Sequence, residues 1–342
     1  MPELTAKTQN NSRMTAQQLL FQQLRENLPA DISVADEVAS LLYISTDSAY
    51  RRMRGETPLT TDELAKLCTH FNLSIDQLLK INTGKQAVFE INRVEYPHNS
   101  FEVYLQSILQ QMQHINSFNN KEIIYVTKDI PLFHFFHSPE MLAFKHFFWM
   151  RTIVQHPDFA SMSCDPSITN QALNRTAAEI LRLYNEIPSI EVWNIESINS
   201  TLLQIEFYRN TNILKSAAAV KILYDALENA INHIEYQAEH GTKSLINEPI
   251  TYKADNFKFF YNSVILADNT IFVSTDLQKK VFLNYGVLHY LSTSDEKFCE
   301  SVHNDLQNLM RKSTLISSGG ARQRSMFFNS LREKIDLNRN KL

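Results

Sequence analysis

Apolar residues recur every three or four positions through most of this chain, and the phase of that repeat predicts short helices followed by longer ones. Leu20, Phe21, Leu24 and Leu28 share one face of a first helix that ends at Pro29. Ser33 caps a second helix, with Val34, Val38, Ala39 and Leu42 on its buried face. Tyr43 and Ile44 form a short link. Ser45 then caps a third helix that presents Thr46, Asp47, Ser48, Tyr50, Arg51, Arg52 and Arg54. Gly55 ends it in the left-handed conformation, and Pro58 lies just beyond, where it interrupts nothing. Thr60 with Glu63 makes a capping box, flanked by the hydrophobic staple of Leu59 and Leu64. Leu64, Leu67, Cys68 and Phe71 form the apolar stripe of this fourth helix. The device recurs at Ser74 with Gln77, which predicts a fifth helix ending near Lys80.

The polar run Asn82, Thr83, Gly84 and Lys85 reads as linker, giving an N-terminal domain at 14–82, a linker at 83–98 and a second domain at 99–342. Phe101, Tyr104, Leu105, Ile108, Leu109 and Met112 mark a helix over 99–117, and 122–127 is a short extended run. The block at 131–150 contains Phe133, Phe135, Phe136, Phe144, Phe147, Phe148 and Trp149. With Ser138 and Pro139 opening a helix that is apolar nearly all round, it must be buried. Helical periodicity continues over 177–184, 198–208 and 214–236, suggesting stacked hairpins without a repeated side-chain signature. At 257–276 two strands joined at Ala267, Asp268 and Asn269 predict a β-hairpin. A helix follows at 277–291, then another opened by Thr293 with Glu296 and running to 312. The fold class read from this pattern is mainly α: a five-helix N-terminal bundle and a larger, mostly helical domain with one small hairpin.

Three blocks, VADEVASLLYIS, YRRMRGE followed by PLT, and DELAKLCTHFNLSIDQLL, stand in the order and at the separations that resemble the lambda-repressor-like, Cro-type (XRE) helix-turn-helix family over residues 14–82. The resemblance implies contacts to bases or backbone at Ser45, Thr46, Asp47, Ser48, Tyr50 and Arg51, with Arg52 and Arg54 on phosphates. Tyr43 stands where that family has glycine. The turn must therefore strain Tyr43 or open, at a cost on the order of 1 kcal/mol.

Charge sharpens this picture. Residues 1–85 hold nine basic and ten acidic side chains, so the domain is not broadly basic and its cationic groups are concentrated on the third helix. Residues 86–310 carry a net charge of minus nine, whereas 311–342 carry plus six. Arg311, Lys312, Arg322, Arg324, Arg332 and Lys334 either add phosphate contacts, dock on an acidic surface, or coat a final helix whose Met326, Phe327, Phe328 and Leu331 face inward.

The candidate chemistry elsewhere points away from catalysis. His134, His137 and His146 lie close in sequence, but no cysteine or carboxylate completes a metal-ligand spacing, so they read as structural. Ser317, Ser318, Gly319 and Gly320 precede a helix but lack the lysine of a phosphate loop. Cys68, Cys164 and Cys299 are far apart, which fits a reducing cytoplasm, and neither an export signal nor an 18-residue apolar run is present. The expectation is a cytoplasmic, homodimeric, DNA-binding transcription regulator, not an enzyme, without cofactor or metal. Its partners would be double-stranded DNA and a small-molecule or protein effector, with no membrane. The competing reading is a protein-interaction scaffold with the N-terminal bundle as a DNA address or partner-binding module.

Overall fold

The computed structural model describes residues 14–28, 32–71, 73–75, 86–93, 101–264 and 268–340, and the chain divides into two compact units, Met1–Val88 and Phe89–Leu342. The first unit contains α1 (Ala16–Asn27), α2 (Val34–Leu42), α3 (Thr46–Met53) and α4 (Thr61–His70). Each begins where a hydroxyl side chain satisfies a backbone N–H that has no partner within the helix. Thr15 and Gln18 form a capping box on α1, Ser33 caps α2, Ser45 caps α3, and Thr60 with Glu63 forms the expected box on α4. Leu20, Phe21, Leu24, Val38, Leu42, Ala49, Leu67 and Cys68 meet in one core, with Ile44, Leu59 and Leu64 packed at its edge. The fifth helix expected from Ser74 and Gln77 lies outside the described residues, as does the linker apart from 86–93.

The second unit overturns the mainly α expectation. Eight strands form one mixed sheet in the order β1-β7-β6-β5-β2-β3-β4-β8. They are β1 (Glu90–Asn92), β2 (Lys121–Val126), β3 (Ser189–Trp193), β4 (Phe257–Tyr261), β5 (Thr270–Thr275), β6 (Lys279–Asn284), β7 (Tyr290–Thr293) and β8 (Thr314–Leu315). The central β2, β3 and β4 run parallel, Ile124 pairing with Ile190 and Glu191 with Phe259. Parallel neighbours require crossover connections, and helices supply them. From β2 the chain passes through α6 (Leu132–Phe135), α7 (Pro139–Phe148), a π-helical turn (Trp149–Ile153) and α8 (Gln171–Glu186) to β3. From β3 it passes through α9 (Asn199–Asn210) and α10 (Ala217–His240) to β4. The unit is completed by α5 (Phe101–Asn116) before β2, α11 (Glu296–Arg311) and α12 (Ala321–Arg339).

Strands β2, β4 and β5 lie on the extended runs read at 122–127 and 257–276, but β4 pairs with β3 and β5 with β2, so the expected hairpin between them does not form. Two cores cover the sheet. Ile123, Tyr125, Trp193, Phe257 and Phe259 enter a large core with the aromatic residues of α6 and α7, while Ile124, Val126, Ile190 and Val192 enter a smaller one with Cys299, Leu306 and Met310 of α11. A strand buried on both faces has no solvent side for its polar positions to mark, and β3, buried at all five positions, escaped the reading for that reason. The segment 277–291, expected as a helix, instead supplies β6 and β7, which pair antiparallel through Phe282 and Ser292. The last helix of the expected pair is capped by Asp295 rather than Thr293. Met326 is exposed, whereas Phe327, Phe328 and Leu331 are buried as expected. Among the described residues, no helix is long and apolar enough to cross a membrane.

Candidate nucleic-acid interface

The link between α2 and α3 is closed by strain at one residue. Tyr43 takes φ 56° and ψ 45°, the left-handed conformation, and the residue is 91% exposed. Its backbone lets Ile44 N–H donate to Ala39 O at 3.0 Å, turning the chain so that Ile44 packs on the core. Ser45 then starts α3, its hydroxyl accepting from Ser48 N–H at 3.2 Å. The C-terminal end closes with equal economy: Gly55, at φ 80°, lets Glu56 N–H donate to Arg51 O at 2.9 Å. Because a non-glycine residue in this conformation costs about 1 kcal/mol and the exposed ring has little packing to lose, Tyr43→Gly should slow amide exchange in α2 and α3 about fivefold. Unchanged or faster exchange would show that the turn stores no strain.

Helical spacing places Asp47, Tyr50, Arg51 and Arg54 on one exposed face of α3, with Ser45 and Thr46 exposed at its start, while Ala49 faces the core. Thr46 Oγ1 donates to Asp36 Oδ1 at 3.3 Å, tying the start of α3 to α2. Ser48 is half-buried, its hydroxyl 2.9 Å from that of Ser45. Tyr50 is 45% exposed.

The three arginines have different environments. Arg52 points into the bundle, where its guanidinium donates to both carboxylate oxygens of Glu63, at 2.8 and 3.3 Å, and to Ser48 O at 3.3 Å. The same Glu63 accepts from Thr60 N–H at 3.0 Å, so the capping box of α4 also anchors α3. The Arg52 bond holds the Glu63 carboxyl below its ordinary range. Arg51 and Arg54 remain at the surface, both next to Glu56, at 3.7 and 2.6 Å. These exposed pairs are screened by solvent and exchange readily for another anion.

One positioning residue gives no local sequence signal. Gln17 on α1 donates to Arg52 O at 2.6 Å and Thr57 O at 2.8 Å and accepts from Leu59 N–H at 3.0 Å. A single carboxamide thus holds the exit of α3 and the approach to α4, with partners 35 to 42 residues away.

The other groups singled out by sequence are absorbed by the second unit. His134 bonds Glu191, His137 lies against the His233 ring at 4.6 Å, and His146 stacks on Phe101 at 4.9 Å. Arg324 donates to Ile316 O and Gly319 O, closing the turn that contains Ser317, Ser318, Gly319 and Gly320. Arg332 pairs with Glu235 at 2.7 Å, and Lys334 donates to Ile195 O and Asn199 Oδ1, so these C-terminal cations dock on the same chain. Arg311 lies beside Asn308. Cys68, Cys164 and Cys299 are all buried thiols.

No curated protein and no solved structure matches the chain. A BetR domain is consistent with DNA binding and a regulatory role. The family model that does match is that of the BetR domain, over residues 11–96, a family distinct from the lambda-repressor-like one, and this corrects the family resemblance read from the sequence.

Proposed function

We propose that this chain is a sequence-specific DNA-binding transcription regulator that reads duplex DNA with α3 in a helix-turn-helix arrangement and acts as a homodimer. The observation that carries the reading is the outer face of α3, where Asp47, Tyr50, Arg51 and Arg54 stand together on a helix locked from behind by Glu63 and Gln17. Arg51 and Arg54 exchange Glu56 for DNA phosphates, while Asp47, Tyr50 and the hydroxyls of Ser45, Thr46 and Ser48 meet base edges or the adjacent backbone. Arg52 is a positioning residue in this scheme. The second unit supplies the effector and oligomerisation functions, with no catalytic step and no cofactor assigned to it.

Selection from a random duplex pool with the full-length protein tests the reading. A two-fold symmetric motif with half-sites separated by about 34 Å or a multiple is the expected product. On that site, Arg51→Ala and Arg54→Ala should weaken all sequences alike and each lower the salt slope by about one. Tyr50→Ala and Ser48→Ala should change which bases are preferred, and Glu56→Gln should strengthen binding by freeing both guanidinium groups. Failure to enrich any motif, or unchanged affinity after both arginine replacements, refutes the proposal.

A further inference from the structure

The large core of the second unit contains two adjoining cavities of opposite character. One, of about 380 Å³, is polar and contains Lys145, Asp129, Ser200 and Gln204 in its lining. The other, of about 110 Å³, is walled by apolar side chains including Ile108, Met112, Ile271 and Phe282. Tyr104, Tyr125, Leu132 and Asn284 line both, which places them at the junction. Tyr125 is 7% exposed. Among the described residues, the hydroxyls of Tyr104 and Tyr125 and the carboxamide of Asn284 have no hydrogen-bond partner, and all three residues line both cavities. Burial raises both phenols above their ordinary pKa, so they remain neutral donors and acceptors at physiological pH.

The polar chamber is charge-balanced. Lys145, 1% exposed, donates to Thr201 Oγ1 and Gln204 Oε1, each at 2.8 Å, and lies 3.8 Å from Asp129. Lys128 pairs with Asp268 at 2.5 Å. Every charged side chain in the lining is thus matched by its opposite, and an ionic ligand would be desolvated without a free counter-charge. The open valences at the junction belong instead to two hydroxyls and an amide, which complement a group that both donates and accepts. At ~30 Å³ per small heavy-atom group, the apolar annex holds about four carbons.

We propose that the two cavities are one binding site for an uncharged amphiphile, whose amide or hydroxyl head is held by Tyr104, Tyr125 and Asn284 while a short alkyl tail fills the annex. The site is independent of the DNA-binding assignment. Its test reads binding directly: saturation-transfer NMR of the full-length protein with pentanamide, pentanoate and pentylamine.

Pentanamide is expected to show saturable transfer, with an affinity about tenfold or more above those of the two charged analogues. Ile108→Trp fills the annex and Leu132→Trp blocks the junction, so either variant, once shown by circular dichroism to be folded, should lose the pentanamide signal. Asn284→Asp introduces an unmatched negative charge and should reverse the preference toward pentylamine. No transfer from folded wild-type protein to pentanamide overturns the site, as does full retention in the folded tryptophan variants. A charged analogue binding wild type as tightly as the amide overturns the assigned head chemistry. An unchanged preference in Asn284→Asp overturns the junction.

Discussion

Glu191→Ala is expected to destabilise the second unit by roughly 3–5 kcal/mol, because it removes the one carboxylate on which three buried donors converge. Glu191 is fully buried on the central strand β3. His134 Nε2 lies 2.9 and 3.0 Å from its two oxygens, Tyr184 Oη donates at 2.5 Å and Trp193 Nε1 at 2.7 Å. The network extends further. Lys243 sits 3.9 Å from the centre of the Tyr184 ring and donates to Tyr184 O, Ile187 O and Ser189 Oγ. Burial pushes the Glu191 carboxyl up, but the His134 ring and the bonds from His134, Tyr184 and Trp193 outweigh it, leaving the carboxyl below its ordinary range. Its stabilising contribution is therefore present above the ordinary carboxylate pKa and is lost as pH falls through the lowered value. Scanning calorimetry should show the transition of this unit falling by about 10 °C in Glu191→Ala, and by less in Glu191→Gln, which keeps an acceptor. A transition within a degree or two of wild type in the alanine variant would mean that the network carries no net stability.

Acid should weaken the same unit well above the range where carboxylates titrate. Burial, reinforced by the neighbouring His233 and His134, pushes the His137 imidazole from 6.5 down to about 2. Burial also lowers His146 and His233. A folded pKa below the unfolded one means that the unfolded chain takes up the proton first, so stability is complete above pH 6.5 and declines as pH falls from there toward 2. His137 alone contributes a slope of about 1.4 kcal/mol per pH unit across that window. Urea unfolding between neutral pH and mildly acidic pH should show the midpoint of the second unit falling, and His137→Phe should flatten the dependence. An identical slope in wild type and variant would assign the acid sensitivity elsewhere.

The first unit was legible because its signals are local. Ser33, Ser45 and the Thr60–Glu63 box stand within three residues of the groups they satisfy, so sequence order alone identifies them. The same locality placed Gly55 at the end of α3. It did not distinguish the arginines, because Arg52 is separated from Arg51 by one position and from Glu63 by eleven, and only packing decides which guanidinium turns inward. The family assignment failed for a related reason. Caps and apolar stripes report how a helical bundle is built and do not by themselves identify a family, and the family model that matches residues 11–96 is that of the BetR domain.

In the second unit the sheet was legible only in part: the runs at 122–127 and 257–276 were read as extended, whereas β3, β6 and β7 were not. Ser189–Trp193 presents Ile190 and Val192 to one core and Glu191 and Trp193 to the network side, so all five positions are buried although Ser189 and Glu191 have the character of solvent-facing residues. Its partners are Ile123–Val126, more than sixty residues earlier, and Phe257–Tyr261, as far downstream. A pairing at that separation leaves no periodic trace in either strand. The long helices were visible because each carries its repeat within itself, as α10 does over Ala217–His240.

Sequence alone was enough for the starts of α2, α3 and α4, the apolar core positions of the N-terminal unit, the placement of arginines on α3 and the burial of the aromatic block, all of which follow from hydrogen bonding and periodicity within one or two turns, whereas the Thr15–Gln18 box that opens α1 went unread. Long-range packing settled that Tyr43 bears the turn in a strained conformation, that Arg52 faces Glu63, that Gln17 holds the exit of α3, and that Glu191 lies on the central strand of a mixed sheet with Lys243 bonded to the start of that strand. Those features depend on which distant segments meet, and the free energy of such meetings resides in shared burial and convergent hydrogen bonds that no single segment contains.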